Sequence, residues 1–382
     1  MRSFYTIFFI MANLFDYLTW RGDLKFAQSP LNPVDNIILC QLSYLPLDGI
    51  VPGPGEKEGI SVSLAASIFA EKLRNDTSDF KSLVMFRDDP ALVSALGSSN
   101  RFGNCQLLGY VNHIDTDREV QFSAVCVYTG DGSCFMVYRG TDSSFVGWKE
   151  DFNMCFKEVI PAQIEAADYL EKMSSMINGP LRLGGHSKGG NLAVYAASNC
   201  HKKIKNRITE IYSNDAPGFC KEFIAGEGFS AIRDRIRSFI PQSSVVGMLL
   251  EHDCDYTVIK SSQIGLLQHD LYSWEVTHND MVHADEITLS SRFVDKTLRE
   301  WIGSLDNEHR EQFIGALYSI LIASEVESIP DLEKTWFKAA GLMIKSLGNI
   351  DEPTRNLIRK ALTELLNAAR RNIDTLFKPE KE

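Results

Sequence analysis

The chain has 382 residues, 44% of them hydrophobic and 23% charged, enough apolar mass for one large domain with an appendage. Its formal charge of −11, from 39 Lys and Arg against 50 Asp and Glu, argues against a nucleic-acid surface, which needs clustered cations. The eight cysteines, at 40, 105, 126, 134, 155, 200, 220 and 254, form no CxxC pair and no zinc spacing. They are expected to be reduced thiols in a cytoplasmic protein.

The opening MRSFYTIFFI carries one basic residue and no A-x-A cleavage pattern after it, so it reads poorly as a signal peptide, and Met11 is the expected start. No segment reaches the ~18 continuous apolar residues of a spanning helix. Residues 11–104 contain NLFDYLTWRGDLKF, VDNIILCQLSYL and SVSLAASIFAEKL around a PGPG loop at 52–55, and are expected to be mainly helical. From 105 to 290 short β-rich runs (QFSAVCVYT, CFMVYRG, LRLGG, ITEIYS, RSFIP, YTVIKS) alternate with helical stretches. That is the pattern of an α/β core whose largely parallel sheet is covered by helices. Residues 291–382 read as a helical appendage, with FIGALYSILIA, WFKAAGLMIKSL and a stripe through Ile358, Leu362, Leu365, Ala369, Ile373 and Leu376.

Leu183 to Asn191 reads LGGHSKGGN, too rich in glycine for the interior of a helix or strand. Within it, Gly185-His186-Ser187-Lys188-Gly189 is G-x-S-x-G, preceded by a strand-like run and followed by the helix-like NLAVYAASNC. This is the context of a nucleophile elbow, a strained turn whose flanking glycines remove the Cβ atoms that would clash. A phosphate-loop reading fails, because Lys188 is followed by glycine where GxxxxGK[ST] requires a hydroxyl. An elbow serine needs oxyanion donors. One is expected to be the N–H of Lys188 at the start of the helix, and the other an N–H of the turn at VYRGTD, which ends an earlier strand.

The string VYRGTD, then Trp148 and Asp151, then LGGHSKGGNLA, resembles the class three lipases, with their FRG[ST] turn, W-x-x-D and GHSLGG. That resemblance implies Thr141 as the residue of the second oxyanion donor. From Met11 to about Val276 the chain also resembles an uncharacterised bacterial family of lipase-like α/β-hydrolases, through LFDYLTWRGDLKF, QLSY, YRGTD, GWKEDFNM, GHSKGGNLAVYA, NDAPGF and QHDLYSW. The implied fold is an α/β-hydrolase core and the implied activity ester hydrolysis. Two features depart from the lipases. Lys188 stands where they have leucine, and Ser243 stands where their D-x-V-P turn places the acid.

Chain geometry offers Asp215, at the end of ITEIYS, as the replacement acid, with Asp253, Asp255 and Glu251 as alternatives and an Asx turn as its plain structural use. The base follows the acid in this fold, leaving His252, His269, His278 and His283; His269 is preferred because it lies in a loop after the last β-rich run and matches the QHD of the resembling family. His186 is expected to point away from the nucleophile, and His113, His201 and His309 fall outside the required order. Arg139 and Asp151 are expected to form a charged pair pinning the oxyanion turn. Lys188 is expected on the helix surface or paired with an acid, the other reading being an ammonium beside the pocket that attracts anionic substrates.

These residues describe a serine hydrolase of a small-molecule or lipid ester, acting through an acyl-enzyme with no metal or organic cofactor. A cover for the pocket is sought between Asp142 and Pro161 or in the N-terminal region. The competing reading is a catalytically degenerate hydrolase kept as a binding or scaffold protein, motivated by the missing D-x-V-P acid, Lys188 and the long tail. From 353 to 382 the chain has seven Lys and Arg against four acids, an excess too small for stable attachment to an anionic membrane. The C-terminal helices are therefore expected to pack within the protein or on a second copy, as a homo-oligomer contact.

Overall fold

The computed structural model describes residues 11–75, 79–142, 144–154, 157–304 and 352–373. Elements begin where the sequence caps them. Asn13 and Asn32 each accept from N–H groups of the first helical turn, with Asp16 and Asp35 reaching back, so capping boxes open α1 (Leu14–Arg21) and α2 (Pro33–Leu42). A two-residue strand β1 (Ile60–Ser61) follows, then α3 (Val62–Asn75), the short α4 (Asp79–Ser82) and α5 (Asp89–Ser98).

Three strands come next: β2 (Gln106–Asp115), β3 (Val120–Tyr128) and β4 (Cys134–Tyr138). Their connections are only a few residues long, so they pair as antiparallel hairpins. From β4 onward a helix or longer crossover separates each strand from the next, and the pairing turns parallel. The order is α6 (Phe145–Asn153), α7 (Pro161–Met176), β5 (Leu181–His186), α8 (Lys188–Asn199), the short α9 (Lys202–Lys205) and β6 (Ile208–Asn214). The short α10 (Lys221–Ile224) and α11 (Glu227–Ser230) lead to β7 (Ile236–Pro241) and β8 (Tyr256–Ile259). The eight strands lie in the sheet in chain order.

Both faces of the sheet are covered, as the unbroken apolar runs of its inner strands demand. Val125, Val127, Phe135 and Val137 pack with α1, α2, α3 and α5 in one core. Their neighbours Ala124, Cys126, Met136 and Tyr138 pack with α7 and α8 in a second core on the opposite face. The helices of the first hundred residues thus form one outer layer of the α/β sheet and contribute its edge strand β1. β2 escaped the β-rich runs picked out by pattern because Gly109 (φ +66°) makes a bulge and Asn112 and His113 interrupt the apolar sequence.

Beyond the sheet, α12 (Leu289–Ser304) pairs with α13 (Glu352–Asn372), where Arg371 and Asn372 both reach Glu300, the latter at 2.7 Å. The runs FIGALYSILIA and WFKAAGLMIKSL lie outside the described residues, as do Leu376 and Cys155. Seven cysteines are described and all are free thiols. Among the described residues no helix is long and apolar enough to cross a membrane.

Candidate active site

Ser187 sits between β5 and α8 with φ +56° and ψ −134°, a left-handed conformation that costs energy for any residue with a Cβ. The turn is possible because its flanking glycines allow contacts no side chain would. A Cβ on Gly185 would lie 2.1 Å from the Gly189 carbonyl carbon, and one on Gly189 would lie 2.0 Å from the Tyr138 carbonyl oxygen. The Ser187 N–H donates to the Asn214 carbonyl at 2.9 Å. The Asn214 side chain in turn donates to the Gly185 carbonyl at 3.0 Å and pairs with Asn36 of α2. The elbow is therefore clamped from β6 and from the N-terminal helical layer.

Asp215 follows Asn214 at the carboxyl end of β6, again with positive φ (+45°), which Asp tolerates better than most residues. It is 1% exposed. One carboxylate oxygen accepts from Ser244 Oγ at 2.5 Å and from the Gly247 N–H at 3.1 Å. The other meets His269 Nδ1 at 2.6 Å, the short separation of a charge-assisted bond. His269 is 28% exposed. Its ring lies 4.3 Å, centroid to centroid, from that of His186, the residue before Ser187. The Ser187 hydroxyl is partly exposed and makes no hydrogen bond among the described residues.

The sequence alternatives are engaged elsewhere. Asp253 pairs with Arg233 at 3.3 Å on the surface, and Glu251 with Arg299 at 3.3 Å. Ser243, which stands at the lipase acid position, donates its N–H to Gln268 Oε1 at 2.7 Å. His283 faces Asp280, and His113 faces Glu165. His252 is half-buried, and its desolvation holds the imidazole below the usual range. His309 lies outside the described residues.

The turn expected to carry the second oxyanion donor runs from Arg139 to Asp142, directly after β4. Among the described residues nothing accepts the backbone N–H of Thr141 or of Lys188. Thr141 Oγ1 donates to both oxygens of Asp151, at 2.7 and 2.6 Å. Burial raises the Asp151 carboxyl to about 6, against the opposing pull of the Lys188 charge and the Thr141 hydroxyl.

Two expectations about the neighbours are corrected and one is met. Arg139 does not pair with Asp151; it meets Asp142 at 3.1 Å and Asn112 at 3.0 Å, because the turn bends its own acid back onto it. Lys188 is paired with an acid, as one expectation had it, and is buried rather than on the surface. Its side chain is 1% exposed and runs inward to Glu150, which is 0% exposed, with Nζ and Oε2 2.7 Å apart. His186 does not turn away from the site: the sharp elbow sends its ring toward His269, where Nδ1 lies 2.9 Å from the Tyr44 hydroxyl. Burial holds the His186 imidazole well below its ordinary range, so it is neutral. Tyr44, Gln121, Glu150, Ser244 and Gly247 were not singled out from sequence. QLSY contains Tyr44, GWKEDFNM contains Glu150 and QFSAVCVYT contains Gln121, but none has a spacing that betrays its partner.

A serine on a strand-to-helix turn, at the carboxyl edge of parallel strands and beside an Asp–His pair, is the site of an α/β protein of the lipase-like class. The chain belongs to the Mbeg1-like family, a lipase-like family whose model matches residues 96–319, more than half its length. No curated protein matches the chain. Among solved structures, it is similar to native Rhizomucor miehei lipase propeptide complex at 14% identity and a TM-score of 0.32, covering 52% of this chain and 66% of that one. A deletion mutant of the same complex gives 14% and 0.33 over 52% and 64%, and M37 lipase 14% and 0.33 over 56% and 68%. The chain thus spans less than two thirds of the length of the Rhizomucor miehei chains. Likeness at this level carries no argument about activity.

Proposed function

We propose that this protein is an α/β-hydrolase that cleaves a carboxylic ester through an acyl-enzyme on Ser187. The observation that carries the reading is the 2.6 Å contact of buried Asp215 with His269, beside a serine strained onto a strand-to-helix turn. Asp215 holds the His269 proton on Nδ1, which leaves the Nε2 lone pair for the Ser187 proton. Ser187 Oγ then attacks the ester carbonyl. The resulting oxyanion is received by the N–H groups of Thr141 and Lys188, with the α8 N-terminal dipole adding to the field. The imidazolium returns its proton to the departing alcohol, and water, activated by the same His269, releases the acid. An open Ser187 hydroxyl is compatible with this role, since the serine–histidine bond often tightens only when substrate is bound.

The substrate we infer is a small or lipid ester, by family likeness. Labelling by a fluorophosphonate probe tests the reading. Labelling of the full chain that disappears in Ser187→Ala is the expected result. A folded wild-type chain that takes no label refutes it and favours a binding or scaffold role.

A further inference from the structure

We propose that the side chain of Lys188 is a positioning residue for the oxyanion hole, holding the segment that carries Thr141 at a fixed distance from the Lys188 N–H. The inference rests on the hydrolase reading above and assigns to that site a part that the lipase leucine could not play.

A lysine is buried to this degree only when all three of its ammonium hydrogens are received. Lys188 Nζ has three acceptors within reach: the Gln121 carbonyl at 2.9 Å, Gln121 Oε1 at 2.7 Å and Glu150 Oε2 at 2.7 Å. Glu150 has no slack either. Oε1 accepts from the first turn of α7, at Ala162 N (2.9 Å), and Oε2 also accepts from Gln121 N (3.2 Å). The pair therefore knots α8 to α6, α7 and β3.

Two routes lead from this knot to the oxyanion turn. Glu150 is followed on α6 by Asp151, whose two oxygens hold Thr141 Oγ1. Gln121 approaches the turn itself, with Nε2 3.5 Å from the Gly140 carbonyl. Lys188 thus offers one oxyanion donor through its backbone while its side chain fixes the supports of the other. An apolar residue would fill the same volume but could not impose direction, whereas a buried ion pair is better suited to fixing geometry than to adding stability. The tolerance is narrow: both donors must lie ~2.7–3.1 Å from the developing oxyanion, and misplacement by about 1 Å costs on the order of 10²-fold in rate.

The test uses the full chain and the double variant Lys188→Met/Glu150→Gln, which leaves neither charge buried alone. Beside it stands Gln121→Met, which cuts one route and keeps the ion pair. Three quantities are read at 10 °C: kcat and KM for a p-nitrophenyl ester, and the affinity for an alkylboronic acid, whose serine adduct is tetrahedral and bears the oxygen that fills the hole. For the folded double variant we expect kcat to fall about 10²-fold, KM to stay within about twofold and boronate affinity to fall with kcat. Gln121→Met should show the same pattern at about tenfold. A folded double variant with wild-type kcat, or a kcat loss without weaker boronate binding, overturns the proposal; if the double variant does not fold, Gln121→Met decides by the same two readings. Wild-type protein that lacks Ser187-dependent labelling would instead sink the hydrolase reading, and this inference with it.

Discussion

Asp215→Asn is the sharpest perturbation of the triad. The amide is close to isosteric with the carboxylate, and its oxygen has a fixed place, because Ser244 Oγ and the Gly247 N–H both donate to that side of the group. The NH2 is then turned toward His269 Nδ1, where the carboxylate oxygen stood at 2.6 Å. Two donors cannot face each other, so Nδ1 becomes an acceptor and the imidazole proton moves to Nε2. That is the atom required to take the proton of Ser187. The packing is unchanged and the tautomer is wrong, a combination that costs about 10⁴ in kcat in such triads, or about 5.5 kcal/mol of barrier. Steady-state hydrolysis of p-nitrophenyl butyrate at pH 8, with circular dichroism to confirm the fold, measures it. A variant within tenfold of wild type refutes the reasoning, as does a larger loss in Asp253→Asn or Asp255→Asn.

Asp151→Asn tests a buried carboxyl. Its folded value of about 6 lies above the 3.8 of a free carboxyl, so its contribution to stability is full below about pH 4 and is lost as pH rises through 6. The amide removes a penalty of up to about 3 kcal/mol at pH 7 while keeping an acceptor for Thr141, so urea midpoints of variant and wild type should differ at pH 7 and converge near pH 4; parallel curves would contradict the assignment. Tyr44→Phe deletes the partner of His186 Nδ1, where His186 Nε2 has none among the described residues, and should cost about 1–3 kcal/mol by calorimetry; an unchanged or raised melting temperature would remove the argument. Gly247→Ala would place a Cβ 2.4 Å from Asp215 Oδ1, so the carboxylate must shift and kcat should drop roughly 100-fold; wild-type turnover would show that the loop yields instead.

The parts of this protein legible in its sequence are those whose physics is local. The elbow is one: a strained serine and the two close contacts at Gly185 and Gly189 all arise within a few residues, so they leave a fixed spacing of glycines. The strands from β3 to β8 are another: β3 and β4, buried on both faces, read as nearly continuous apolar runs, and the later ones as short β-rich runs set between helices. The capping asparagines at 13 and 32 and the alternation of strand and helix belong here too. Chain order narrowed the acid and the base to a few candidates each, and the QHD match to the resembling family favoured His269 among them.

Side-chain direction was decided by the tertiary structure alone. Asp215 and His269 lie 54 positions apart, and what aims the carboxylate is a pair of donors, Ser244 and Gly247, that no motif contains. Tyr44 reaches His186 across 142 positions. Lys188 looks from its place in G-x-S-x-G like a residue that could meet either solvent or substrate. It turns inward because Glu150 and Gln121, from two other elements, supply the acceptors that make a buried ammonium affordable. Backbone strain and periodicity are written along the chain, whereas the satisfaction of a buried charge depends on groups that only folding brings together.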